Sequence, residues 1–346
     1  MSLQHPFCDD TKMTLKRKMV ILGFTLALLL GFIGLNILAY NHARAMTTYT
    51  EAGRRTSQPE KLSLRQRISV LLTGVTIIRP ASNKPPQSLV ENSEVLTIPV
   101  DNRITLEAWY ANQGTNTPLV IMFHGYAEDK TSIIDEARAL LDMQLSVLLV
   151  DFRGSGGSSE SYTTVGYWEA DDVNAAYLHA KEHFDHLHLF LFGQSKGAVA
   201  LLRAIQQHKL NPDAVIIEAV FDTMLNTVRN RFRAMRTPSF PNAELLVFWG
   251  GQQRGFNAFR HNPLTYAKSL TMPALFMHGE KDPRATLREG NRVFQAVPGP
   301  KQFITFPKSR HESYVGSHPD QWRQSIQAFL SETIPSGPRY DAHSEH

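Results

Sequence analysis

Gly193-Gln194-Ser195-Lys196-Gly197 is a G-x-S-x-G pentapeptide. It follows the apolar run LHLFLF and precedes the helix-like AVALLRAIQQH. Strand, tight turn and helix in that order is the setting in which such a serine acts as a nucleophile. The turn exposes Oγ, and the glycines let neighbouring backbone approach without a Cβ clash. The start of the helix offers free N–H groups to developing negative charge. A serine hydroxyl is a poor nucleophile until a base takes its proton. His311 lies in a polar loop just after the apolar run 301–306, where it can reach over a sheet end. His124, His261 and His278 are the competing bases. The imidazole needs a carboxylate to fix its tautomer. Asp282, just after the run ALFMH, supplies one; Glu280 and Asp222 are the alternatives. The chain order Ser195, Asp282, His311 is the order associated with this kind of elbow.

Acyl transfer also needs two backbone N–H donors aimed at the tetrahedral intermediate. One is expected from Lys196, the residue after the nucleophile. The other is expected from Tyr126, in the His124-Gly125-Tyr126 loop after the run LVIMF. The stretch DFRGSGGSS at 151–159 ends another apolar run, and its glycines suit a tight turn at the same sheet edge. A phosphate cradle is excluded there, because no G-K-[ST] is present.

The elements that must hold these residues are legible in the apolar pattern. EVLTIPV and ITLEAWY read as two strands of a hairpin starting near residue 94. Apolar runs follow at 119–123, 146–152, 188–192, 214–220, 274–278 and 301–306. Helical patterns lie between them at 131–143, 169–184, 196–208, 286–296 and 319–332. Fully apolar strands alternating with helices imply an α/β protein, its mostly parallel sheet covered on both faces. The interval 223–262 breaks that rhythm and is too long for a plain loop. It is rich in aromatics and carries Arg229, Arg231, Arg233, Arg236, Arg254 and Arg260 against the single acid Glu244. It reads as a helical cap over the sheet end. Its arginines suggest an acidic substrate or anionic lipid headgroups.

Residues 19–40, MVILGFTLALLLGFIGLNILAY, carry no charge. As a helix they would span roughly 33 Å, enough to cross a bilayer. Lys12, Lys16, Arg17 and Lys18 precede the run, so the tail 1–18 is expected in the cytoplasm and the bulk of the chain on the far side. The alternative is a signal peptide cut near Ala45, although the apolar core exceeds the usual length. Residues 41–93 read as a connector, with an amphipathic helix over 62–78 that either lies on the membrane surface or caps the domain. A hydrolase domain is then expected over 94–335 and a tail over 336–346.

With 42% hydrophobic and 20% charged residues, the chain is too apolar to be disordered. Its formal net charge of +4 comes with no basic stripe or recognisable module, so no nucleic-acid partner is expected. The single cysteine, Cys8, excludes a disulfide framework and a cysteine-rich zinc site. The oligomeric state is not legible.

Taken together, residues 94–332 resemble the α/β-hydrolase superfamily. The matching pieces are the His124-Gly125 loop, the D-x-R-G-x-G turn at 151–156, the elbow at 193–197, the H-G-x-x-D at 278–282 and His311. With its N-terminal run the chain resembles a single-span, membrane-anchored bacterial branch. The resemblance implies an α/β-hydrolase fold and ester cleavage through an acyl-enzyme, with no metal or organic cofactor. The substrate is a small-molecule acyl ester or amide, since the same triad serves amide or peptide bonds. A non-catalytic membrane-tethered binding module is the third reading. Lys196 stands where relatives often carry an apolar residue, and is expected to bias charge preference near the nucleophile.

Overall fold

The computed structural model describes residues 15–333 apart from 83, 115–116 and 187. Cys8, Lys12 and the tail expected at 336–346 lie outside the described residues. The chain opens on one helix, α1 (Leu15–Thr47), long and apolar enough to cross a membrane. From Arg17 to Gly34 its residues are exposed on every face. From Leu35 onward they begin to pack, and Ala39 and Ala43 are buried. The helix therefore outruns the apolar stretch 19–40 by about two further turns at its C-terminal end. Nothing in NHARAM breaks it, and burial rewards its continuation.

A capping box on Ser63 starts α2 (Leu64–Thr73), and Gly74 at φ 88 ends it. This helix is shorter than the expected 62–78, because a glycine at positive φ stops a helix cheaply. Val70 and Leu71 touch the cap, whereas Leu64, Ile68 and Leu72 form an exposed stripe. The remaining connector is bound to the domain. Thr48 and Thr50 bridge to Tyr162 and Ile78, and Tyr49 is buried. The Arg79 guanidinium donates to the Gly156, Ser158 and Glu160 carbonyls.

Eight strands form one sheet: β1 (Glu94–Pro99), β2 (Thr105–Ala111), β3 (Leu119–Phe123), β4 (Ser146–Val150), β5 (Leu189–Gln194), β6 (Ala214–Glu218), β7 (Ala274–Gly279) and β8 (Lys301–Phe306). Their order is β1-β2-β4-β3-β5-β6-β7-β8. The β1–β2 and β2–β4 pairs are antiparallel, and the rest are parallel. The central strands are buried on both faces, which is why they read as unbroken apolar runs.

The helices after the sheet begins are α3 (Ile134–Asp142), α4 (Glu169–His183), α5 (Lys196–His208), α6 (Met224–Ala234), α7 (Asn242–Arg254), α8 (Pro263–Tyr266), α9 (Leu287–Ala296), α10 (Tyr314–Ser317) and α11 (Pro319–Thr333). One face of the sheet packs on α3 and α11 through Leu140, Trp322 and Ile326. The other packs on α4, α5 and α9 through Val173, Leu201 and Val293. A third cluster, with Val228, Phe232 and Val247, joins α6 to α7 above the sheet. These two helices are the cap, and α1 lies along α7. The Tyr40 and Trp249 rings meet edge-on at 5.4 Å, and Trp249 Nε1 donates to Asn36 at 3.2 Å.

Candidate active site

Ser195 ends β5 and begins α5, at φ 53 and ψ −108. A non-glycine residue there is strained and must be held by its surroundings. Its N–H donates to the Glu218 carbonyl on β6 at 2.8 Å. Two glycines permit the turn. A Cβ on Gly193 would lie 2.6 Å from the Ala198 nitrogen, and one on Gly197 would collide with the Phe123 carbonyl.

His311 follows β8 and faces Ser195. Its Nε2 is 3.0 Å from Ser195 Oγ, and its Nδ1 is 2.6 Å from Asp282 Oδ2. Asp282 Oδ1 accepts the Arg284 and Ala285 N–H groups at 2.8 and 3.0 Å, so the carboxylate cannot rotate away. Burial alone would raise the Asp282 carboxyl, yet the adjacent His311 and the backbone donor of Arg284 hold it below the usual carboxylate value. It is therefore ionised at neutral pH. The N–H groups of Tyr126 and Lys196 have no hydrogen-bond partner among the described residues. Tyr126 and Ser195 line the same pocket.

The competing residues are engaged elsewhere. His124 Nε2 accepts the Phe152 N–H at 3.1 Å, and burial keeps the ring well below its usual pKa. His261 sits between Tyr266 and the Val165 carbonyl, its pKa pushed down to about 4 by burial. His278 is 2.8 Å from the Ala285 carbonyl and likewise lowered by burial. Asp222 pairs with Arg292 at 2.6 Å, and Glu280 accepts the Thr305 hydroxyl at 3.1 Å.

Lys196 departs from expectation. Its side chain is fully buried, with Nζ 4.5 Å from the centre of the Phe152 ring. It does not line the Ser195 pocket, so it cannot bias charge there directly. Burial lowers its pKa, opposed chiefly by the charge of Glu169. The first turn of α5 points this side chain inward, against the Phe152 ring.

Most cap arginines also stay out of the site. Arg229 pairs with Glu244 at 2.5 Å, and Arg254 donates to the Thr47 carbonyl at 2.7 Å. Arg231 alone among them lines the pocket of Ser195, together with Arg284 from the loop after β7. Arg284 is held by Glu60 of the connector at 2.7 Å.

The sequence reading missed a pair of buried acids beneath the nucleophile. Glu218, at the end of β6, accepts Trp322 Nε1 at 2.7 Å. Burial and the neighbouring Glu136 push its carboxyl up to about 8. Glu136 accepts the Ser313 hydroxyl at 2.6 Å and is itself raised to about 7 by burial. The available signal was a lone acid closing the otherwise apolar run AVIIE. Also missed was the Tyr126 hydroxyl, which donates to the Met46 carbonyl on α1 at 2.5 Å.

With this geometry in place, a family comparison decides the lineage. The family described as the prolyl oligopeptidase family matches residues 132–336. The chain belongs to the prolyl oligopeptidase family. It is an α/β-hydrolase-fold serine hydrolase. A Bacillus subtilis relative, the uncharacterized protein YqkD, is 27% identical over 214 residues, covering 61% of this chain and 70% of that one. The human acylamino-acid-releasing enzyme is 24% identical over 264 residues, 69% of this chain and 33% of that one. Among solved structures, the Pyrococcus furiosus esterase Pf2001 superposes with a TM-score of 0.62 at 21% identity, covering 75% of this chain and 99% of that one. That likeness is one of fold.

Proposed function

We propose that this member of the prolyl oligopeptidase family hydrolyses carboxylic esters through an acyl-enzyme on Ser195. The carrying observation is the unbroken hydrogen-bonded row Ser195–His311–Asp282 beside two unpartnered amides. His311 Nε2 takes the proton as Ser195 Oγ attacks the ester carbonyl. The oxyanion forms within reach of the Tyr126 and Lys196 N–H groups, the kind of donor whose loss costs roughly 10²–10³ in rate. His311 then gives its proton to the departing alcohol. Water, deprotonated by His311, attacks the acyl-serine, and the acid leaves as Ser195 regains its proton. Asp282 orients the imidazole and stabilises its charged form. These steps call for no metal or organic cofactor.

Amide or peptide cleavage by the same residues is the second reading. The family match and the likeness to the acylamino-acid-releasing enzyme favour it. A fluorophosphonate probe is expected to label wild-type protein and not Ser195→Ala. An intact protein that stays unlabelled would refute both readings. Faster turnover of p-nitrophenyl esters than of aminoacyl amides is expected; the reverse order would assign a peptidase.

The apolar half of α1 is proposed as a retained anchor, with its lysine-rich flank cytoplasmic and the hydrolase domain outside. Burial of Ala39 and Ala43 against the cap supports retention, since a cut near Ala45 would discard those contacts. A mature chain found by N-terminal sequencing to start at Met46 would overturn it.

A further inference from the structure

The apolar stretch of α1 is long enough to cross a bilayer, yet only part of it stands free of the rest of the protein. Met19 to Gly34 are exposed on every side, and packing begins at Leu35. At 1.5 Å per residue that free length rises only about 24 Å. The hydrocarbon core of a bilayer is about 30 Å thick and takes about 20 helical residues to cross. A span that begins at Met19, beside the basic flank, therefore ends near Leu38. By that point α1 is already packed on the cap, so part of the cap must lie at bilayer depth.

The direction of α7 says which part. Trp249 meets Asn36 and Tyr40, while Arg254 further along α7 meets Thr47. The two helices thus run the same way. The N-terminal end of α7, and Phe240 just ahead of it, point back toward the free half of α1. The side chains there suit lipid. Phe240 is 75% exposed and Phe248 43% exposed. Phe32, Ile33 and Ile37 of α1 form an open groove with Trp249. The one acid of α7, Glu244, is paired with Arg229. An exposed apolar patch of this kind marks an interaction surface, and aromatic rings are favoured at the bilayer boundary.

A second element closes on the same level. The C-terminal end of α2 sits against α1 just past Tyr40, where a Cβ on Gly74 would lie 3.7 Å from the His42 ring. Leu72 in that last turn is exposed. Arg44, one turn beyond Tyr40 on α1, is exposed at the height of the lipid phosphates, which supplies charge complementarity.

We propose that the end of the cap carrying Phe240 and Phe248, together with the C-terminal turn of α2, docks into the outer leaflet of the bilayer around α1. The occupant of this face is lipid, and the proposal rests on the reading of α1 as a retained anchor. Docking of this kind sinks an apolar face about 5–10 Å into the headgroup and acyl boundary. It fixes the height and tilt of the hydrolase domain above the membrane, so the domain does not swing on a free tether.

The test uses the full chain in nanodiscs of phosphatidylcholine and phosphatidylglycerol. Cys8→Ser removes the only cysteine. Phe240→Cys, Phe248→Cys and Leu72→Cys then each carry an NBD fluorophore. Leu28→Cys in the free half of α1 is the lipid reference, and Leu178→Cys, exposed on α4, is the water reference. Phe240 and Phe248 are exposed, so their replacement removes little packing. Lipid carrying a doxyl group high on its acyl chain is expected to quench the labels at 240 and 248 about half as strongly as the label at 28 or more, with 72 next and 178 hardly at all. Aqueous iodide is expected to give the reverse order. If 240 and 248 follow 178 while 28 follows lipid, docking is overturned and the anchor stands. If 240 and 248 are shielded from both quenchers, a second copy of the chain covers this face and docking is again overturned. If 28 escapes lipid, the anchor reading fails, and the same two labels decide docking by themselves: lipid quenching keeps it and iodide quenching ends it.

Discussion

The reactive row and the wall opposite it are built in different ways. Ser195, Asp282 and His311 stand at the ends of β5, β7 and β8, whose parallel register sets where each side chain emerges. Backbone hydrogen bonds hold them, such as Ser195 N–H to Glu218 and the two amides on Asp282. The opposite wall is assembled by side chains from elements distant in sequence. Tyr126 reaches Met46, Trp249 reaches Asn36 and Arg284 reaches Glu60. The lesson is a division of labour. The proposed chemistry sits on the rim of the sheet, while the proposed attachment through α1 rests on side-chain contacts between distant elements.

Asp282→Asn attacks the rim most directly. It is expected to lower kcat by roughly 10³–10⁴-fold with the fold retained, because it removes the charge and favours the wrong tautomer. Pre-steady-state acylation of Ser195 measures this. A loss below tenfold would mean that another group orients His311.

A smaller effect is expected from the buried acid under the nucleophile. The Glu218 carboxyl is raised from 4.5 to about 8 by burial and by Glu136. The folded state therefore holds a proton that the unfolded chain releases above pH 4.5. Stability is full below that value and falls as pH rises toward 8. Glu218→Gln escapes this loss. Its thermal midpoint relative to wild type should gain about 5 °C between pH 5 and pH 9, corresponding to on the order of 2 kcal/mol. An equal difference at both pH values would show that Glu218 is ionised in the fold.

The mildest test touches the wall. Tyr126→Phe removes the hydroxyl bonded to Met46 but keeps the backbone N–H and the ring. A neutral hydrogen bond of this kind contributes about 1 kcal/mol, so kcat on short esters should fall about fivefold or less. A hundredfold loss would show that α1 holds the oxyanion loop in place, and the division between rim and wall would fail.

Much of the rim was legible in the chain because its signals are local. A serine between glycines, flanked by a strand pattern and a helix pattern, needs no distant partner to be recognised. The order of Ser195, Asp282 and His311 follows from successive strand ends. Lys196 shows where locality stops. Its amide position followed from the motif, but its side-chain direction depends on the helix it begins, which turns it toward Phe152. The cap was visible as an interval too long for a loop, yet the fate of its arginines was not. Arg229 and Arg254 found partners in Glu244 and Thr47, and only Arg231 turned toward Ser195.

By itself the sequence determined the alternation of buried strands and helices, the elbow and the apolar N-terminal helix. Each follows from covalent neighbours and a period of two or 3.6 residues. Only the tertiary structure decided that α1 continues to Thr47 and lies on the cap. It alone placed Glu136 beside Glu218, and Trp249 beside Asn36. Those juxtapositions join residues tens to hundreds of positions apart. They arise because packing rewards whichever surfaces meet, and no local pattern records which surfaces those will be.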